Sequence, residues 1–401
     1  MKKLNIFGYF LSILFPITLF LSYKGEQTLS YIIFIIFIIS MFSRENRKNF
    51  KSLVDKKLSY GLLIFILSPF IVSFFNGGIL SRVDIEHYLF WLIFFPLVFY
   101  ISTENRFWKF IFSFLVGGII SLCITLIIFI NNYESWVNPN GFDYPRIYFE
   151  LQTQDFANIM CILLLFLLSF ILFYEHRDKL KNKIIKTSLS VFFFFILFIV
   201  IVNRSKMVYI CLIPAVMYIL YKKNKKSILG FLTLCVGGYF FLPSSIRSRL
   251  QYIIKVKDDP SSNLRLIFWD AAISSLKKNP LLGMTTKERI NFNINHFKSK
   301  GVWDYIAVNY GISDEIGLTN THNMYLHHLA YYGIAILTLF YFFFVIIPFR
   351  ISKLTFYKTK NMKFSKYTAM EIGLKSSYIA YLIQGITEYN LNKKPMIFVC
   401  V

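Results

Sequence analysis

Apolar runs of about 15 to 22 residues, the length that crosses a hydrocarbon core, recur along the whole chain and alternate with short polar stretches. They cover 5–22, 27–42, 59–75, 87–101, 110–130, 156–173, 187–202, 207–221, 228–242, 329–349 and 368–387, with a last stub from Pro395. The pattern predicts an all-α, polytopic membrane protein of about 12 transmembrane helices. One large polar segment, 243–323, falls between the ninth and tenth spans. The expected organisation is a nine-span bundle over 1–242, the loop 243–323, and C-terminal spans over 324–401. Runs 27–42 and 187–202 lie near the lower bound for a crossing. The stub from Pro395 offers about 10 Å of helix at the α-helical rise, about a third of a crossing.

Composition agrees. Of 401 residues, 56% are hydrophobic, 19% aromatic and 16% charged, with a mean hydropathy of +0.54. A soluble domain carries roughly 25% charged residues, and 46 Phe with 26 Tyr exceed what a soluble core of this size hides. A soluble enzyme, a disordered chain and a disulfide scaffold are excluded. The net charge of +23 is explained by placement. Counted from an inside N-terminus, the inside segments 2–3, 43–58, 102–109, 174–186, 222–227 and 350–366 hold 25 Lys/Arg and 5 Asp/Glu. The short loops on the other side hold 7 basic and 8 acidic residues, and 243–323 holds 11 and 7. This is the positive-inside asymmetry. It predicts a cytoplasmic N-terminus and an outside long loop, and it removes the case for nucleic-acid binding. Met1-Lys2-Lys3 and the run after it lack a small-residue cleavage site and read as an uncleaved first span. The five cysteines fall inside apolar segments and read as small core hydrophobes.

Four polar places on the outer side carry candidate chemistry. The first is Asn203-Arg204-Ser205-Lys206, the whole connection between two apolar runs. Arg204 there is either a snorkelling anchor or an anion clamp, because a guanidinium fork matches phosphate oxygens. The second is 263–283, NLRLIFWDAAISSLKKNPLLG. Leu264, Ile267, Phe268, Ala271 and Ser275 form a helical stripe, Ser261, Ser262 and Asn263 suit an N-cap, and Asn279-Pro280 is a stop. An amphipathic helix over 263–279 is expected on the outer membrane surface, with Arg265 in its first turn, where a docked anion would offset an awkward dipole position. The alternative is a solvated basic face. The third is Thr321-His322-Asn323-Met324, with a cap at Asn320 or Thr321 and Gly333 on the same helix face as His322. His322 at a water–membrane border suits a general base near neutral pH, or simply an interfacial hydrogen bond. His327 and His328 point elsewhere around such a helix, so no metal is expected. The fourth is Glu388, placed to orient a base or balance a clamp, or else to face water.

Absences narrow the field. The sequence has no Walker A string, and the acidic pairs Asp258-Asp259 and Asp314-Glu315 lack a metal-loop frame. The first outer loop, 23–26, is too small to carry a metal-dependent sugar-transfer site. Intramembrane acids are scarce, and Glu371 and Lys375 are expected to pair at i, i+4.

The order of these elements resembles the O-antigen ligase and polymerase superfamily. The carriers are a short outer loop with Arg204, a loop helix that begins with Arg265 and ends in N-P-L-L-G, and His322-Asn323 followed by Gly333 entering a span. The likeness covers mainly 200–390; the run from Arg146 to Asn158 also looks like the family's other substantial outer loop. Ile336 stands where the ligase pattern often has a small residue or Tyr. The resemblance implies an inverting, metal-independent glycosyl transfer at the periplasmic face of a bacterial inner membrane, without a cofactor. The implied donor is a glycan on undecaprenyl pyrophosphate. The implied acceptor is a lipid A-core sugar hydroxyl (ligase) or another lipid-linked repeat unit (polymerase). Arg204 and Arg265 would hold the pyrophosphate, His322 would take the acceptor proton, and Asn323, Gly333 and Glu388 would support them. A flippase or exporter of lipid-linked glycans is the alternative from another class. It predicts a charged central cavity, whereas this sequence gathers polar groups on one side.

Overall fold

The computed structural model describes residues 1–78, 80–137, 147–148, 153–310, 320–353 and 365–389, apart from the side chains of 245, 249, 308–310, 352 and 353. Every element among them is helical. The helices are α1 (Lys2–Leu21), α2 (Tyr23–Ser40), α3 (Arg44–Leu53), α4 (Lys56–Phe75), α5 (Arg82–Tyr100), α6 (Glu104–Asn131), α7 (Thr153–Phe173) and α8 (Lys179–Asn203). They continue with α9 (Lys206–Lys223), α10 (Lys226–Phe241), α11 (Ser244–Ile254), α12 (Pro260–Lys278), α13 (Thr286–Ser299), α14 (Trp303–Tyr310), α15 (Met324–Ile351) and α16 (Ser365–Gln384). Each of the expected apolar runs from 5–22 to 368–387 falls on one of these helices. The stub from Pro395, Arg146 and the pair Asp314-Glu315 lie outside the described residues.

Among the described residues, seven helices are long and apolar enough to cross a membrane: α1, α4, α5, α6, α7, α8 and α15. The pair α2 and α3 makes an eighth only if a bend of 117° is allowed within one span. The other expected spans that are described fall short of this measure for local reasons. The 23–26 connection does not form a loop. Chain reversal takes a single extended residue, Ser22, whose hydroxyl caps α2 by accepting from the Gly25 N–H at 3.0 Å. α10 is a shorter apolar helix, and α9 and α16 carry lysines or hydroxyl residues within their lengths.

The core forms around α7, where Phe156 to Leu167 are buried without exception. It packs against α16, α8 and α9. Small residues bring neighbouring backbones together, as expected where lipid replaces water and close packing drives helix association. Gly117 of α6 lies so near α1 that a Cβ would meet the Ile17 Cα at 2.9 Å. The Ser68 and Thr338 hydroxyls pair at 2.6 Å between α4 and α15. The Glu371–Lys375 pair forms, at 2.7 Å. On the outside, α8 leaves Val191, Phe194 and Phe195 exposed, a surface suited to lipid tails. α10 buries no residue, and a Cβ on its Gly230 would meet nothing within 4 Å.

The two glycines give a paired test. Gly117→Leu forces α1 and α6 apart and is expected to lower stability by about 1–3 kcal/mol, while Gly230→Leu leaves it nearly unchanged. Thermal unfolding of the detergent-solubilised chain reads both, and equal effects would refute the packing described.

Candidate functional site

The link between α8 and α9 is a left-handed turn on Arg204, at φ 60°. This conformation disfavours a side chain with a Cβ, so its surroundings must hold it. Asn203 Nδ2 donates to the Ile147 carbonyl at 2.9 Å, and Trp136 Nε1 donates to the Val202 carbonyl at 3.0 Å. Arg204 is fully buried, its guanidinium 4.1 Å from the centre of the Trp136 ring, with Nη2 donating to the Trp136 carbonyl at 2.8 Å. It does not snorkel. Lys206, at the start of α9, reaches across to Asp259 and donates to Ser262 Oγ at 2.9 Å.

Asp259 is the true cap of the loop helix. Its carboxylate accepts from the Ser262 N–H at 2.7 Å, and Pro260 occupies the first helical position. α12 therefore starts three residues before the expected 263 and ends at Lys278. Arg265 sits in the second turn, so the first-turn dipole argument does not apply to it. Burial raises the Asp259 pKa, but hydrogen bonds from Lys206 and Ser262 outweigh it and hold the carboxyl below its ordinary value. The tie is thus intact at neutral pH and lost only as the solution falls through that depressed value. The stripe faces the loop's own cluster rather than a membrane surface: Phe268, Ala271 and Ser275 are buried, and Phe268 packs on Phe297 of α13.

Arg265 projects from α12 to Glu388, Nη2 to Oε1 at 2.8 Å, with both side chains largely buried. Glu388 follows α16 and also binds through its backbone. Its carbonyl accepts from the Met324 N–H at 3.1 Å, and the Gly385 carbonyl accepts from the same N–H at 2.7 Å. Met324 begins α15, immediately after His322-Asn323.

His322 lies outside the helix. Asn323 is the cap, its carboxamide oxygen accepting from the Tyr325 and Leu326 N–H groups at 3.0 and 2.9 Å. His322 precedes it at φ 47°, half-buried, its own N–H donating to Asn320 Oδ1 at 2.9 Å. Trp269 of α12 donates to the adjoining Thr321 carbonyl at 3.0 Å. Arg204 and His322 are the two non-glycine residues with positive φ among the described residues.

Gly333 does not share a helix face with His322, because α15 breaks there, at φ 46°. The break receives the N-P-L-L-G turn. A Cβ on Gly333 would sit 2.3 Å from the Leu281 carbonyl oxygen, a Cβ on Gly283 would sit 2.3 Å from that of Tyr331, and the Ile334 N–H donates to the Leu281 carbonyl at 2.8 Å. The motif is thus a backbone dock between the loop and α15.

Two grooves flank these residues. An apolar one of about 940 Å³ runs between α8, α9 and α10. Its Ile201, Leu242, Ile246 and Leu250 belong to the same apolar cluster as Trp136 and Val202, the residues around the Arg204 turn. A polar one of about 710 Å³ opens on α13, lined by Asn279, Asn291, Phe292, Asn295 and His296 among others. There Asp270 pairs with His296 at 2.8 Å, which holds the Asp270 carboxyl below its ordinary value. Among the described residues no group of three or more His, Cys, Asp or Glu is arranged to hold a metal.

Residues 189–341 match the family model described as O-antigen ligase. The match supports the O-antigen ligase and polymerase superfamily, whose members are glycosyltransferase-like enzymes acting on lipid-linked glycans. It spans Arg204, Arg265, His322, Asn323 and Gly333, while Glu388 lies beyond it. No curated protein is detectably similar to the chain. Trp136 stands outside the sequence's candidate places, and Lys206 and Asp259, named there within a link and an acidic pair, had no role assigned, although Asp-Pro before a helical stripe is a readable start signal.

The Arg265–Glu388 pair is testable as an energetic unit. Arg265→Met or Glu388→Gln alone is expected to destabilise by leaving a mostly buried partner unmatched. The double variant should recover about 1–3 kcal/mol of coupling energy in a double-mutant cycle. Strict additivity would show that the pair carries no structural weight.

Proposed function

We propose that the chain is an O-antigen ligase, transferring a glycan from undecaprenyl pyrophosphate to a lipid A-core sugar hydroxyl. In this reading it lies in a bacterial inner membrane with a cytoplasmic N-terminus. The helices make up about 12 spans, and 243–323 forms a periplasmic loop before the C-terminal spans. One observation carries the reading: the strained backbone falls on Arg204 and His322, the residue types that the chemistry needs. Such strain persists where the surroundings over-determine it, and it clusters at functional sites.

The parts divide the work. The apolar groove, which shares a cluster with Trp136 and Val202, suits a polyprenyl chain, with its diphosphate turned toward the Arg204 guanidinium. Arg265 adds a second fork; Glu388 occupies Nη2 and leaves the other N–H groups to the phosphate oxygens. The acceptor oxygen attacks the anomeric carbon, its proton passes to the His322 imidazole, and the bond from that carbon to the diphosphate oxygen breaks. Attack from the face opposite the leaving group inverts the centre. The two guanidinium groups neutralise the diphosphate as it departs, which suits a metal-independent route. The amide- and aromatic-lined groove on α13 gives the sugar chain hydroxyl partners and a stacking face. Asn323 caps the helix behind His322, and Gly333 keeps the loop docked. The same parts serve a polymerase, which differs in its acceptor.

His322→Ala is expected to lower transfer by about 10²- to 10⁴-fold while the chain still inserts. Arg265→Lys should lower it too, because a point charge does not reproduce a fork. Deleting the gene and separating the envelope glycolipid on a gel identifies the acceptor. Unsubstituted core with polymerised glycan left on the carrier indicates the ligase, and core bearing one repeat unit indicates the polymerase. Full-length glycan on the core in the His322→Ala strain would remove His322 as the base.

A further inference from the structure

The strongest unsatisfied charge in the described chain is not one of the residues already assigned. Arg289, on α13, has no exposed surface, and none of its Nε, Nη1 and Nη2 atoms meets a hydrogen-bond acceptor among the described residues. A guanidinium carries five N–H donors, and burying it without an acceptor is strongly unfavourable. The contact it does make is with the face of Tyr331, 4.5 Å from its centre, and a ring face offsets only part of that penalty. Burial pushes its pKa down, and Tyr331 and Tyr332 act in the other direction.

Arg289 is the floor of a column. The Tyr331 ring stacks with His327 at 4.6 Å, and His327 lies 4.1 Å from the ring of Tyr389, the neighbour of Glu388. His327 is buried, and neither of its ring nitrogens has a partner among the described residues. The groups that act most on it electrostatically are Arg289, His328, His87 and His322, while the buried Asp84 carboxylate acts on Tyr332 and Tyr389. His322 and His87 are half-exposed, whereas Arg289 has no exposed surface.

We propose that Arg289 anchors a subsite for a compact oxyanion, a phosphate or a carboxylate, borne by the substrate that reacts at His322. The identification of that substrate rests on the transfer reading above; the anion chemistry rests on the unmatched guanidinium. Two parallel N–H groups of the fork match two oxygens of one anion. His327 lies on the Tyr331 ring rather than on the fork, and the Asp84 carboxylate acts on Tyr332 and Tyr389, so the attraction for an anion is local to Arg289, where it exceeds that for a neutral sugar. Phosphate arrives as part of the donor diphosphate, and carboxylate as part of an acidic sugar.

The test uses the full chain in lipid nanodiscs, with inorganic pyrophosphate and glucuronate as separate probes. Affinity is read by calorimetry and Tm by intrinsic fluorescence. Arg289→Met is expected to raise the Tm of the probe-free chain by removing a buried unmatched charge, and to weaken probe binding by about 10- to 100-fold. Arg289→Lys keeps the charge, loses the fork and also weakens binding, which covers the case in which the Met variant does not fold. Binding of pyrophosphate alone assigns the donor phosphate, and binding of glucuronate alone assigns an acidic sugar. Unchanged affinity in an Arg289 variant, or no binding of either probe to the natural chain, overturns the subsite. The two readings fail separately. Loss of transfer in His322→Ala with unchanged binding in the Arg289 variants removes only the subsite. Surviving transfer in His322→Ala with binding lost in Arg289→Met removes only the transfer mechanism.

Discussion

Glu388 is the stitch on which the site depends. Its carboxylate holds Arg265 of α12, and its backbone carbonyl holds the first N–H of α15 beside His322-Asn323. Three stretches separated by more than a hundred residues of sequence in one case (265 to 388) thereby meet around one side chain. A second tie, Lys206 to Asp259, fastens the Arg204 turn to the start of the same loop helix. A third, the Leu281 turn against Gly333, fixes the far end of the loop. The loop is therefore held at both ends of α12, and its charged groups keep their places without a large core of their own. The small cluster of Phe268, Ala271, Phe297 and Ile306 is the only cluster confined to it among the described residues.

The interior is unusually basic for its depth. Arg204 and Arg289 both lie among the largest fully buried side chains. Removing a guanidinium from water is tolerated where rings cover its faces and acceptors meet its edges. Trp136 provides both for Arg204, while Tyr331 provides only a face for Arg289. The difference is that Arg204 has a carbonyl acceptor in Trp136 and Arg289 has none among the described residues. It is also why stability and ligand binding are expected to trade against each other at Arg289.

Most of the helical architecture was legible, because a bilayer leaves hydropathy as the dominant signal. Every full apolar run lies on a helix, the loop helix forms, and Glu371 meets Lys375, but the α12 stripe turns into the loop's own cluster instead of lying on a membrane surface. What failed was local. Ser22 makes a turn in one residue where a loop was expected at 23–26. Asp259 takes the cap from Ser261, Ser262 and Asn263 because a carboxylate before a proline at the first helical position is the better start. Asn323 takes the cap from Asn320 and Thr321, which pushes His322 off the helix and dissolves its shared face with Gly333. Arg289 was invisible for a different reason. With Asn293 it forms a polar face that reads as solvated, and only tertiary packing shows that face to be buried.

The central claim is that Arg204, Arg265 and His322 serve one site on the outer side of a membrane. Membrane-side labelling of single cysteines tests it most directly, in a chain whose natural cysteines are replaced. A membrane-impermeant thiol reagent applied to intact spheroplasts should label Ser299→Cys, at the exposed end of α13, and should reach Lys222→Cys, at the opposite end of α9 from Arg204, only after permeabilisation. Labelling of Lys222→Cys in intact spheroplasts, with Ser299→Cys protected until lysis, would put the arginines and the imidazole on the cytoplasmic side and contradict the account.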